Sequence, residues 1–361
     1  MRQIKVLIVD DSVVIRRLLT DILSEDPDIE IAGVAPNGRI ALAKMPHLNP
    51  DLITLDIEMP ELDGLGTLTE LRKAYPKLPV IMFSTLTERG AVATLDALAR
   101  GATDYVAKPA NVGSISAGKQ SVRDQLIPKI KALCPIHPPA AGGRPATPLR
   151  LPPRARPAVK APRRLDVVVI GSSTGGPQAL SAVLTRLPAN LPVPIVIVQH
   201  MPPIFTRSLA DRLNHECGLE VKEATANETL QPGQVRIAPG DYHVELRRDG
   251  LAVRTVLHQG PPENSCRPAV DVLFRSAAKL YGGGCLGVVL TGMGQDGLRG
   301  SEHIVHVGGS LIGQDEASSI VWGMPRAVAE AGLPDSILPL NSIAPEVVRL
   351  TSLGRRQTVA C

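Results

Sequence analysis

Aromatic side chains are scarce, eight in 361 residues or 2%, which leaves little from which to build stacking platforms for single-stranded nucleic acid or carbohydrate. No stretch approaches the ~18 consecutive apolar residues of a membrane span. The opening MRQIKVLIVDD runs straight from a short apolar run into acids, unlike a signal peptide, so neither export nor membrane insertion is expected. The five cysteines, at 134, 217, 266, 285 and 361, include no CxxC pair. Neither a disulfide framework nor a zinc knuckle is indicated, and a reducing, cytoplasmic setting is expected.

Acidic residues are missing altogether from positions 125–164, which hold nine Lys/Arg and ten of the 33 prolines. Such a stretch buries too little apolar surface to offset its chain entropy and reads as a Pro/Arg-rich flexible linker. With it set aside, 30 basic residues face 35 acidic ones, so the flanking parts are mildly acidic and give no electrostatic case for nucleic acid. At ~100–200 residues per domain the length fits two domains, and 44% apolar residues supply substantial cores.

On both sides of the linker, short apolar runs alternate with amphipathic segments. Val6–Val9, Leu52–Leu55, Val80–Phe83 and Tyr105–Ala107 read as buried strands, with Ile31–Ala35 a weaker one. Beyond the linker, Val167–Ile170, Ile195–Val198, Val235–Ala238, Leu286–Leu290 and Gly309–Ile312 do the same, and residues 313–361 read as loop, short helix and tail. This alternation predicts two α/β halves with parallel sheets covered by helices. Ligands of open α/β sheets bind beyond the carboxyl ends of the strands, so the residues each strand runs into are the candidates.

In the first half these are Asp10 and Asp11, Asp56, Ser84 and Lys108. Three carboxylates on one edge repel one another and call for a cation. Hard oxygen ligands suit Mg²⁺, which with Lys108 would neutralise an incoming phosphoryl group while Asp56 attacks it. In the second half, Val167–Ile170 enters GSSTGGP, which contains G-x-S-x-G around Ser173. Neither G-x-G-x-x-G nor a Walker motif is present there, so a nucleophile on a tight turn is favoured over a phosphate cradle. A serine needs a base, and His200 follows the strand Ile195–Val198. Leu286–Leu290 enters the glycine-rich TGMGQDG, whose Asp296 is suited to orient that imidazole. The chain order Ser–His–Asp differs from that of α/β-hydrolases.

DD at 10–11, LDIEMPELDG, FST and YVAKP resemble the receiver domain of two-component response regulators. GSSTGGP, VQHMPP, LTGMGQDG, APGDYH, CRPAVDVLF and GMPR resemble the catalytic domain of the CheB family of protein-glutamate methylesterases. The resemblance implies a flavodoxin-like receiver with a five-stranded parallel sheet at 1–124, the linker at 125–164, a doubly wound α/β methylesterase domain at 165–355 and a tail at 356–361. In the receiver it implies Asp56 as phosphoacceptor, Mg²⁺ on Asp10, Asp11 and Asp56, phosphoryl sensing by Ser84 and Lys108, and Tyr105 as an aromatic switch. In the catalytic half it implies Ser173 as nucleophile, His200 as base, Asp296 as orienting acid and the Met293 N–H as oxyanion donor. Thr174 and Gln199 become supporting neighbours, and the esterase reaction itself is expected to need no cofactor.

The implied activity is phosphorylation-activated hydrolysis of glutamate γ-methyl esters on methyl-accepting chemoreceptors, with deamidation of receptor glutamines. The partners are then those receptors and a sensor histidine kinase, with no nucleic acid, and a monomer is expected. The alternative is a receiver-regulated nucleic-acid-binding or scaffold protein with a silent output domain. Two positions depart from the family pattern: Ser172, a second hydroxyl beside the nucleophile, and Cys266, where the family usually has His.

Overall fold

The computed structural model describes residues 2–109, 115–135 and 164–353. The chain divides into two compact units, Met1–Arg144 and Pro145–Cys361.

In the first unit five strands alternate with five helices: β1 (Ile4–Val9), α1 (Val13–Ser24), β2 (Ile29–Ala35), α2 (Gly38–Leu48), β3 (Leu52–Asp56), α3 (Gly64–Ala74), β4 (Val80–Ser84), α4 (Glu88–Ala99), β5 (Asp104–Ala107) and α5 (Ile115–Leu133). The sheet is parallel throughout, in the order β2-β1-β3-β4-β5. Every residue of β3 and β4 is buried, as expected for strands covered on both faces. Side chains start the helices where the chain leaves a strand: Ser12, Asp63 and Thr87 accept from Ile15, Gly66 and Gly90 N–H at the first turns of α1, α3 and α4. Leu19, Ile22 and Leu23 of α1 share one core cluster with Val122, Leu126 and Ile130 of α5.

That packing moves a boundary. The stretch expected to begin a linker at 125 begins inside α5, which continues past Pro128 to Leu133. Leu126 and Ile130 are fully buried, and their apolar burial outweighs the proline and the surrounding charge. Of the remaining linker, residues 136–163 lie outside the described residues, as does the tail from 354.

The second unit begins with β6 (Val167–Ser172), α6 (Gly176–Leu184), β7 (Ile195–Gln199), α7 (Pro203–Glu216), β8 (Glu220–Glu223), β9 (Gln234–Ile237), β10 (His243–Asp249) and β11 (Ala252–His258). It continues through α8 (Val270–Tyr281), β12 (Cys285–Val289), α9 (Leu298–His306), β13 (Ser310–Gln314), α10 (Met324–Glu330), β14 (Ser336–Leu338) and α11 (Leu340–Ser352). Seven parallel strands run in the order β14-β13-β12-β6-β7-β9-β8, with β10 and β11 a separate antiparallel pair. From β6 the chain builds outward through β7 and β9 on one side, then returns through β12 and β13 on the other. The strand order therefore reverses between β6 and β12, and a doubly wound sheet opens its crevice at such a reversal. The first unit does the same between β1 and β3. The apolar stripe of α8, including Leu273, Phe274 and Ala277, is buried with residues of β6, β7 and β12 in the main core of this unit. Residues 313–361 carry more structure than expected, since α11 spans 13 residues.

Candidate active site

β6 and β7 are in register at Ser172 and Gln199, so Ser173 and His200 leave adjacent strand ends one position further on. His200 N–H donates to Ser172 O at 3.1 Å, and Gln199 Nε2 donates to Ser173 O at 2.9 Å. The turn that presents Ser173 is tight. Gly175 has φ 76° at the start of α6, a conformation glycine adopts without penalty. A Cβ on Gly292 would lie 2.9 Å from the Ser173 Cβ and 2.4 Å from Met324 Sδ, so the loop after β12 approaches the serine only through glycine.

The two neighbouring hydroxyls differ. Ser172 is fully buried and donates to Gln199 Oε1 at 2.7 Å. Ser173 is half-buried, and among the described residues its hydroxyl makes no hydrogen bond.

His200 Nε2 lies 2.8 Å from Asp296 Oδ2, with the imidazole side chain 13% exposed. Asp296 is buried and accepts from four further donors. Val270 N–H reaches Oδ2 at 2.6 Å, while Asp271 N–H (3.1 Å), Gly297 N–H (3.0 Å) and Asn264 Nδ2 (2.9 Å) reach Oδ1. Val270 and Asp271 open α8, so the carboxylate occupies the positive end of that helix. Burial resists charge on both partners. The contact with His200 and these backbone donors nevertheless hold the Asp296 carboxyl below its usual range, and its charge, with Cys266, drives the imidazole above the usual histidine value. A carboxylate accepts only, so Nε2 carries a proton in either charge state, and in the neutral imidazole Nδ1 is the nitrogen with the lone pair. That lone pair is the one available to a serine. In the structure Nδ1 stands 3.6 Å from Cys266 Sγ, and no hydrogen bond joins it to Ser173. His200 and Asp296 are thus brought together directly, and Ser173 by strand adjacency.

Asn264 and Asp271 were not expected from sequence, and Cys266 was noted there only as a departure from the family pattern. Cys266 touches His200, Asn264 binds Asp296, and Asp271 accepts from Asn264 Nδ2 and from Gly300 N–H of α9. All belong to the segment leading into and opening α8, where no periodic pattern marks them. Thr174 and Thr291 join the two loops, Thr291 Oγ1 donating to Thr174 O at 3.0 Å. Met293 is half-buried in the loop after β12, and among the described residues its N–H has no acceptor.

In the first unit Asp10 follows β1 and Asp56 ends β3, the two strands that flank the reversal. Lys108 Nζ lies 2.8 Å from Asp56 Oδ1 and 3.0 Å from Asp10 Oδ2. Asp10, Asp11 and Asp56 each bring one carboxylate oxygen to within 4.8 Å of the others. Burial and then the charge of Asp10 push Asp56 up to about 6, against Lys108 and one backbone N–H from Ile57. Burial likewise raises Asp10. These are the marks of a donor set short of positive charge, and its hard oxygens fit Mg²⁺. Ser84 is buried at the end of β4, and its hydroxyl donates to Gly90 O at 3.2 Å. A cavity of about 220 Å³ lined by Asp11, Asp56, Ile57, Glu58, Ser84, Thr85, Gly90 and Lys108 opens beside Asp56. Tyr105 is buried, and Lys129 Nζ lies 5.2 Å from its ring centre.

The fold and these two rims define a receiver joined to a catalytic unit built on a doubly wound parallel sheet, and comparison with known proteins agrees. The response regulator receiver domain model matches residues 6–117 and the CheB methylesterase model residues 168–347. A protein-glutamate methylesterase/protein-glutamine glutaminase of Trichodesmium erythraeum is 55% identical over 97% of this chain and 99% of its own length. One from Nocardioides sp. is 56% identical over 99% and 98%. The crystal structure of the Thermotoga maritima CheB methylesterase catalytic domain, 44% identical, superposes with a TM-score of 0.51 over 52% of this chain and 100% of that one. The chain belongs to the CheB family: it is a response-regulator esterase of chemotaxis, with protein-glutamate methylesterase and glutaminase activity. This identity sets aside a nucleic-acid-binding or silent output domain. Among the described residues no helix is long and apolar enough to cross a membrane.

Proposed function

We propose that Ser173, His200 and Asp296 carry out the esterase reaction and that phosphorylation of Asp56 controls it. Ser173 Oγ attacks the γ-carbonyl of a glutamate methyl ester on a chemoreceptor while His200 Nδ1 takes its proton. Asp296 keeps the Nε2–H in place and stabilises the imidazolium. The unpaired Met293 N–H is available to the oxyanion, and losing one such donor typically costs ~3–4 kcal/mol. His200 returns the proton to the departing methanol, and water then releases glutamate from the acyl-enzyme. With a glutamine amide the same steps release ammonia.

The observation that carries this reading is the 2.8 Å contact between His200 and a carboxylate with four other donors. It sits one strand from a hydroxyl that is free to react.

In the first unit Asp10, Asp11 and Asp56 would hold Mg²⁺, which would supply charge neutralisation at the phosphoryl group. Asp56 is the acceptor, and Lys108 and Ser84 contact the phosphoryl oxygens. A chemotaxis sensor histidine kinase is the donor, the protein itself is cytoplasmic, and Tyr105 is the switch residue on β5.

The test is hydrolysis of methylated receptor by Ser173→Ala with Ser172→Ala beside it. The first variant is expected to lose activity and the second to keep most of it. The reverse pattern overturns the assignment.

A further inference from the structure

Asp296 does not stand alone. Asp271 is buried beside it, 1% exposed against 2% for Asp296. Two carboxylates shut away from water at close range repel, and such pairs tend to share a proton. A neutral Asp296 would pull less on the Nε2–H of His200. Asn264 stands between the two. Its Nδ2 lies 2.9 Å from Asp271 Oδ2 and 2.9 Å from Asp296 Oδ1. Facing two acceptor-only groups, the amide must present its NH₂ side, and one N–H serves each acid.

Asp271 needs this donor in particular. Its Oδ1 accepts from Gly300 N–H at 2.6 Å, in the first turn of α9. Among the described residues Asn264 is the single donor to Oδ2.

The amide is itself firmly held. Glu263 and Cys266 exchange backbone hydrogen bonds of 3.1 and 2.9 Å, closing the turn that carries Asn264. Glu263 forms two 2.6 Å hydrogen bonds with Arg275 of α8. Asn264 has φ 52°, a left-handed conformation asparagine tolerates better than most residues. The charged and titratable groups around Asp296 are then His200 from the end of β7, Asp271 and Arg275 from α8, and Glu263 from this turn.

We propose that Asn264 is a positioning residue for the esterase reaction: its amide is shared between Asp271 and Asp296 so that both stay ionised, the first supporting α9 and the second holding His200. This rests on the assignment of Ser173, His200 and Asp296 above.

The test uses the full-length protein with methylated receptor across pH. Asn264→Gly suits the left-handed backbone and deletes only the amide. Its kcat is expected to fall roughly tenfold with KM within about twofold. With a proton retained between the two acids, the titration midpoint of the His200 ring, followed by NMR, drops by about one pH unit. Adding Asp271→Asn removes the competing charge and is expected to return the midpoint and several-fold of the rate. The near-isosteric Asn264→Asp, which keeps the backbone preference and adds a third carboxylate, lowers kcat further.

Wild-type rates and midpoints in Asn264→Gly and Asn264→Asp overturn the proposal. So does a loss that leaves the midpoint unmoved and that Asp271→Asn fails to relieve, the result of a merely structural role. Ser173→Ala in the same series separates the two ideas. Activity surviving there fails the nucleophile assignment, whereas the His200 midpoint still reports on Asn264.

Discussion

The two units place an aspartate at the same point of the same architecture and treat it in opposite ways. Asp56 ends β3 next to the strand-order reversal of its sheet, and Asp296 follows β12 next to the reversal of the other. Both are buried. Asp56 accepts from one backbone N–H and one lysine while facing Asp10. Asp296 accepts from three backbone N–H groups, an amide and an imidazole. Burial alone therefore does not decide what a carboxylate does. The supply of donors does: one acid is left with reactive electron density and a need for a cation, the other becomes a fixed charge.

Exchanging each acid for its amide breaks the comparison most sharply. Asp296→Asn puts an N–H where only donors point. The esterase rate of methylated receptor is expected to fall ~10⁴-fold, and calorimetry of the second unit should register a loss of about 3–5 kcal/mol.

Asp56→Asn should move stability the other way. A carboxyl raised from 3.8 to about 6 binds its proton more tightly folded than unfolded. Stability is then fully present below pH ~4 and lost as pH rises through ~6, by about 3 kcal/mol. The variant, which removes the proposed phosphoacceptor, should gain up to that amount at pH 7 and nothing at pH 4 in thermal unfolding of the first unit. Mg²⁺ should raise the unfolding midpoint of the wild type more than that of the variant.

The pH dependence of the esterase sharpens the same contrast. With the imidazole raised above 6.5 by its acid partner, kcat/KM should climb with pH through a midpoint above 6.5. An unshifted midpoint would mean that Asp296 exerts no pull on the base. Smallest is Cys266→Ala. It removes one long sulfur contact, 3.6 Å from Nδ1, so steady-state rates should change less than about threefold.

Both rims were legible because each proposed functional group is local to an unmistakable strand. Val-, Ile- and Leu-rich runs mark β1, β3, β4, β6, β7 and β12; Asp56 and Ser84 close β3 and β4, and Asp10, Ser173, His200 and Asp296 follow the other four strands within seven residues. What escaped had no continuous apolar run. β8 reads Glu-Val-Lys-Glu at a sheet edge, and the β10–β11 pair is rich in arginine. α5 passes through Pro128 because Leu126 and Ile130 anchor it from within, a tertiary contact that composition hides. Asn264 and Cys266 meet Asp296 and His200 across chain separations of 32 and 66 residues, and no spacing rule encodes such meetings.

Three of the five groups grasping Asp296 are peptide N–H groups, at positions 270, 271 and 297. Amide hydrogens belong to the main chain and are offered by nineteen of the twenty amino acids alike. The electrostatic seat of the acid is thereby insulated from drift in the letters that surround it, with proline the sole substitution able to delete a clasp outright.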